Sequence, residues 1–146
     1  MKNNFFWLGM LVLVLMLGMT VIGCSNSSGG STGEKTIIIT NIPARLNGWE
    51  VELQVYSDAT TMVAFGGNIV SGTSITFGLI DAATGKLWTG SGNHLISIDL
   101  YDAINGDSEY WVFTNGAAIT PQLMANPPKY NIRGSNTISF DLFREI

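Results

Sequence analysis

The sequence predicts an all-β fold, an antiparallel β-sandwich over residues 36–146, and three observations predict it. Past position 35 the apolar residues recur with a period of two, no apolar stripe of helical period flanked by caps is found, and turn residues punctuate the runs at regular spacing. One sheet cannot cover its own apolar face, so six to eight short strands imply two sheets packed against each other.

The first strand is expected at Thr36–Thr40, a β-branched run (TIIIT) that reads as buried on both faces. Val51, Leu53 and Val55 alternate with Glu50, Glu52 and Gln54, the pattern of a half-buried strand with one wet face. Between Ile69 and Leu79, the residues Ile69, Thr73, Ile75, Phe77 and Leu79 share one parity, which fits a long strand or a bent pair. Thr84-Gly85 in the stretch Asp81–Leu87 closes a strand connection. Ile96, Ile98 and Leu100 face inward while Ser97 and Asp99 face outward. Asn105-Gly106 then separates that strand from the aromatic run Glu109–Thr114, the signature of a hairpin with a type I′ turn. Asn115–Asn131 holds three prolines and is too long for a plain loop, so a short edge strand is expected near Ala117–Ile119. The last strand is expected at Thr137–Phe143, with Ile138, Phe140 and Leu142 inward.

The 146 residues begin with Lys2 and an uncharged apolar run, Phe5–Ile22. Such a run is long enough to span a bilayer, which takes roughly 17 to 25 residues. Val21-Ile22-Gly23-Cys24 tips the reading toward a lipoprotein signal, because it resembles a lipobox: an aliphatic residue at −3, a small residue at −1, then cysteine. Residues 1–23 are accordingly expected to be a signal peptide and Cys24 the lipidation site, whose acyl chains would anchor the protein to a membrane. Cys24 is the only cysteine and has no intramolecular disulfide partner, which also favours an acylated thiol over a free one in an oxidising compartment. An uncleaved transmembrane anchor is the alternative, and both readings place the following domain outside the cytoplasmic membrane. Residues 24–35 carry the lipidated cysteine and a Ser/Gly-rich run (SNSSGGSTGEK) with the composition of a flexible tether. The expected address is therefore the cell envelope, on the outer membrane or the periplasmic face of the inner membrane.

Beyond Lys2, six Lys and Arg face eleven Asp and Glu and are scattered, so neither a nucleic-acid partner nor a polybasic membrane patch is expected. The succession Thr-Ile-Ile-Ile-Thr-Asn-Ile-Pro at 36–43, Trp88-Thr-Gly-Ser-Gly92 leading into His-Leu-Ile-Ser-Ile at 94–98, and Thr-Ile-Ser-Phe at 137–140 resembles small lipoprotein sandwich modules of treponemes and related spirochaetes. The resemblance implies a prealbumin-like or immunoglobulin-like sandwich and an envelope address, and it brings no catalytic residue.

Chemistry-bearing patterns are few. His94 is the only histidine, which excludes histidine-cluster metal sites, and its parity with Ile96 and Ile98 reads as the inner end of a strand. Gly90-Ser91-Gly92 lacks the spacing of a nucleophile elbow and reads as a turn or bulge. Thr84-Gly85-Lys86 is no phosphate loop, since Ile80 stands where the leading glycine belongs. Asp102, Asn105, Asp107 and Glu109 offer oxygen ligands around one turn, but not at EF-hand spacing, and turns favour Asp and Asn for backbone reasons. No cofactor is implied. Trp49, Trp88 and Trp111, with Tyr56 and Tyr110 beside them in the aromatic set, are the candidate ligand-binding residues, with core packing as their plainer role. The leading expectation is a lipid-anchored module with a structural or protein-binding role and no enzymatic activity. A glycan or small-ligand binding domain is the alternative, and it calls for coplanar exposed aromatics.

Overall fold

The structure, a computed structural model, describes residues 35–146; the expectations for the leader, for Cys24 and for the segment directly after it lie outside the described residues. The chain runs β1 (Thr36–Thr40), a 3-10 turn (Ala44–Leu46), β2 (Glu50–Tyr56), β3 (Met62–Ile69), β4 (Ser74–Gly78) and β5 (Ile80–Asp81). It continues through β6 (Gly92–Tyr101), β7 (Ser108–Phe113), a short helix α1 (Pro121–Ala125), β8 (Tyr130–Ile132), β9 (Ser135–Ser139), a second 3-10 turn (Phe140–Leu142) and β10 (Phe143–Glu145).

These strands form an all-β sandwich. A three-stranded sheet has the order β4-β1-β9, and a larger one has the order β10-β7-β6-β2-β3-β5, with β8 paired to the start of β6. Each pairing in the larger sheet is antiparallel, whereas β1 runs antiparallel to β4 and parallel to β9. In an immunoglobulin domain the first two strands are sheet neighbours. Here β1 and β2 belong to different sheets, and β1 instead pairs with β4 and β9.

Alternation explains the core. Ile37, Ile39, Phe77 and Ile138 from the smaller sheet meet Leu53, Val55, Ile98, Leu100 and Phe143 from the larger, and all are buried. Ile38 is only half-buried, so β1 is covered on one face rather than two. The reason is topological: β1 is the middle strand of a sheet whose second face is open.

Three further local expectations are corrected. The parity read from Ile69 through Leu79 breaks at a turn, where Gly72 has φ +83°; Ile69 ends β3 and is exposed, while Ile75, Phe77 and Leu79 are buried. The hairpin between β6 and β7 is wider than a type I′ turn: Gly106 alone has positive φ (+78°), and Asp102 N–H donates to Asp107 O at 2.8 Å. The edge strand expected near Ala117–Ile119 is instead β8, and the segment before it holds α1, started by Thr120, whose Oγ1 accepts from Leu123 N–H at 3.1 Å, with Pro121 behind it.

The C-terminal run expected as one strand crosses between sheets. β9 stays in the smaller sheet, the 3-10 turn Phe140–Leu142 bridges, and β10 pairs with β7 in the larger. The turn shifts the inward parity by one, so Phe143 is fully buried and Leu142 only half.

Candidate functional site

The sandwich interior is largely apolar among the described residues, with Asn136 of β9 as a buried polar side chain whose Nδ2 donates to Thr36 O at 3.1 Å and whose Oδ1 accepts from Arg133 N–H at 2.8 Å. The space between the sheets is lined by Ile39, Val51, Phe77, Ile98, Leu100 and Phe140 among other apolar side chains. A set of polar side chains lies on the outer face of the larger sheet.

That face is built by the parity opposite to the core. Because Val51, Leu53 and Val55 point inward, Glu50, Glu52, Gln54 and Tyr56 of β2 point out, and β6 likewise turns out Ser97, Asp99 and Tyr101. Strand register sets the rows. Glu52 lies opposite Asp99, with Tyr110 of β7 beyond it and Gly67 of β3 on the other side. In the next row Gln54 lies opposite Ser97, between Phe65 and Val112. In the row before, Glu50 lies opposite Tyr101.

The Gln54 amide ties the middle together. Its Nε2 donates to Glu52 Oε1 at 2.7 Å, and its Oε1 accepts from Tyr56 Oη at 2.8 Å and from Ser97 Oγ at 3.3 Å. Glu52 and Asp99 are like charges directly opposite each other, an arrangement that costs stability in a sheet. Burial raises the Asp99 carboxyl above its ordinary value, and the Glu52 carboxylate raises it further. Burial also raises the Tyr56 hydroxyl, with smaller contributions from Tyr110, Glu52 and Asp99.

No described cation balances the pair. Arg45 makes the ion pair with Glu109, which holds the Glu109 carboxyl below its ordinary value. Lys129 Nζ donates to Ser57 O, and the Arg144 guanidinium donates to the carbonyls of Asp141, Phe143 and Gly116. Gly67 carries no side chain, so the flank of Glu52 toward β3 is open.

The residues singled out from the sequence are not brought together. Trp49 sits just before β2 and packs partly against the core; Trp88 is buried between β5 and β6, edge-on to His94 at 5.3 Å between ring centroids. Trp111 packs over Phe140 at 4.6 Å and donates Nε1–H to Glu109 at 2.9 Å. The coplanar exposed pair that a tryptophan platform needs is therefore not formed by these three, and each serves packing. His94 lies at the start of β6 with inward parity, Asp99 is on the outer face and Asp102 follows the end of the strand, so no cleft joins them.

The turn residues are occupied locally. Asp102 accepts from the backbone N–H of Ile104 and Asn105 and from the Asn105 side chain at 2.6 Å. These bonds, led by the Asn105 side chain, lower its carboxyl. Among the described residues no group of three or more His, Cys, Asp or Glu is arranged to hold a metal ion. Gly90 is explained by packing, since a Cβ there would lie 2.3 Å from the Trp88 ring.

The Glu52–Asp99 row is the feature that sequence reasoning missed. Both residues are legible as outward-facing, but their juxtaposition depends on β2 and β6 being neighbours. No protein-family model, no curated protein and no solved structure matches this chain.

Proposed function

We propose that this chain is a lipid-anchored protein of a bacterial cell envelope and that its sandwich is a protein-binding module, with the outer face of the larger sheet as the contact surface. The lipobox-like Val21-Ile22-Gly23-Cys24 and the motif likeness to spirochaete lipoprotein modules support the anchor. One observation carries the binding role: the uncompensated Glu52–Asp99 pair, with Tyr56 and Tyr110 close by and Tyr101 in the neighbouring row. A partner that brings Lys or Arg onto this face relieves the repulsion, and tyrosines supply the amphipathic contact area that interfaces favour. The glycan alternative calls for coplanar exposed aromatics; Trp49, Trp88 and Trp111 are engaged in packing, while Tyr56 and Tyr110 lie on this same outer face and serve the protein-binding reading here.

Intact mass of the protein from its native membrane tests the anchor. A chain starting at Cys24 with two or three acyl groups is expected, and the mass of the unprocessed chain overturns it. Substitution Cys24→Ser should abolish both cleavage and acylation. For the binding face, a photoreactive residue at Tyr110 in the native envelope should yield a protein adduct that Glu52→Lys abolishes. The same probe at Thr76, exposed on the smaller sheet, should yield none. Absence of an adduct at Tyr110, or equal labelling at both positions, overturns the assignment.

A further inference from the structure

The described edges of the two sheets are unequal. The larger sheet ends in β5 and β10, two and three residues long, too short to template a further strand. On the smaller sheet, the β4 edge is engaged by a side chain, since Asn68 Nδ2 donates to Thr76 O at 3.0 Å. The remaining edge is β9, Ser-Asn-Thr-Ile-Ser, which is five residues long and carries no charge, no proline and no register shift. No described strand lies on its outer side. It has none of the devices by which edge strands are normally blunted.

The ladder shows which groups that edge offers. Thr36 N–H donates to Gly134 O at 3.5 Å. In a parallel ladder alternate residues turn both backbone groups to the same neighbour, so Asn136 and Ile138 address β1, while Ser135, Thr137 and Ser139 direct N–H and C=O outward.

We infer that this edge pairs with β9 of a second copy of the chain, antiparallel about a two-fold axis at Thr137, joining two three-stranded sheets into one of six. The charges flanking the strand argue for this occupant. Arg133 stands four residues before Thr137 and Asp141 four after it, and both are exposed. Both lie in the connections just beyond the strand, and antiparallel pairing about Thr137 brings the Arg133 end of each copy to the Asp141 end of the other, two charge-complementary ends by symmetry. Both groups have capacity to spare: Arg133 uses only Nε, toward Asn131, and Asp141 accepts only through Oδ2 among the described residues. At the axis Thr137 faces its own counterpart, a favourable cross-strand pair.

Thiol cross-linking of the full-length chain in membranes tests the pairing. Across a hydrogen-bonded antiparallel pair the Cα atoms are about 5.5 Å apart, within disulfide reach. Under mild oxidant Thr137→Cys should give a band of twice the chain mass on a non-reducing gel. Thr76→Cys, exposed on β4 of the same sheet, should give no more than the wild-type chain, whose Cys24 thiol is acylated under the proposed anchor. Arg133→Asp should reduce the Thr137→Cys dimer, and adding Asp141→Arg should restore it, with the circular dichroism unchanged throughout. A Thr137→Cys dimer no stronger than that of Thr76→Cys overturns the inference. So does a charge reversal without effect, or a cross-link from Thr137→Cys to a different protein in place of a second copy.

Discussion

Asp99 and Glu52 give the larger sheet its chemical character, because each is placed where the other makes it costly. Removing one carboxylate should stabilise the fold: Asp99→Asn is expected to gain about 0.5–1 kcal/mol near neutral pH, the usual size of a cross-strand charge effect. The pH dependence follows from the direction of the shift. The Asp99 carboxyl is raised in the folded state, so above the ordinary aspartate value the folded chain holds a proton that the unfolded chain has lost, and stability falls as pH rises through that window. Asp58 has the opposite sign. Hydrogen bonds from Thr60 and Thr61, led by the Thr60 backbone, hold it down to about 2, so its contribution is present above the ordinary aspartate value and is lost as pH falls toward 2. Urea denaturation between pH 3 and 7 should show Asp99→Asn gaining on the parent chain as pH rises. An unchanged difference across that range would remove Asp99 from the account.

At the scale of single elements, β3 shows how a weak local signal becomes a strand. Its sequence, MVAFGGNI, has two glycines and an asparagine, all poor strand formers. It is held by pairing with β2 along its whole length and by a close pass against β4. A Cβ at Gly66 would lie 2.7 Å from the Gly78 carbonyl oxygen and 3.2 Å from Phe77 Cβ. Gly66→Ala should therefore cost about 1–3 kcal/mol by overpacking, read as a lower urea midpoint with an unchanged slope. A cost below about 0.5 kcal/mol, the range of an indifferent surface site, would mean the two strands do not approach so closely.

For the whole molecule, the junction between the sheets rests on Phe143. Its ring meets Phe113 at 5.6 Å and Phe140 at 6.2 Å between centroids, so it joins β10, β7 and the 3-10 turn that leads out of β9. Phe143→Ala should cost about 3–5 kcal/mol and loosen both sheets together, measured as one cooperative transition at lower denaturant. Two separate transitions would mean the sheets are held independently. Circular dichroism of the parent domain should show β signal with little helix, since α1 has only five residues.

The sequence by itself determined the class of fold and much of the core. Alternation identifies β2, β6 and the inward side chains of β4 because a strand's side-chain period is a local property of the backbone. It also identified Glu52, Gln54 and Asp99 as outward. The tertiary structure alone decided what those side chains meet: β2 pairs with β6 across some forty residues of intervening chain, and no local pattern encodes which strands become neighbours. The same holds for β3, which depends on its partners, and for the step from β9 to β10, where a 3-10 turn exchanges Leu142 for Phe143 in the core. Helix α1 is a different case, because Thr120-Pro121 carried its start signal but five residues are too few for a helical period to register. Trp49, Trp88 and Trp111 mark the remaining limit: residue type announced large aromatic surfaces, and only packing decided that Trp88 is buried while Trp49 and Trp111 pack in part against the core.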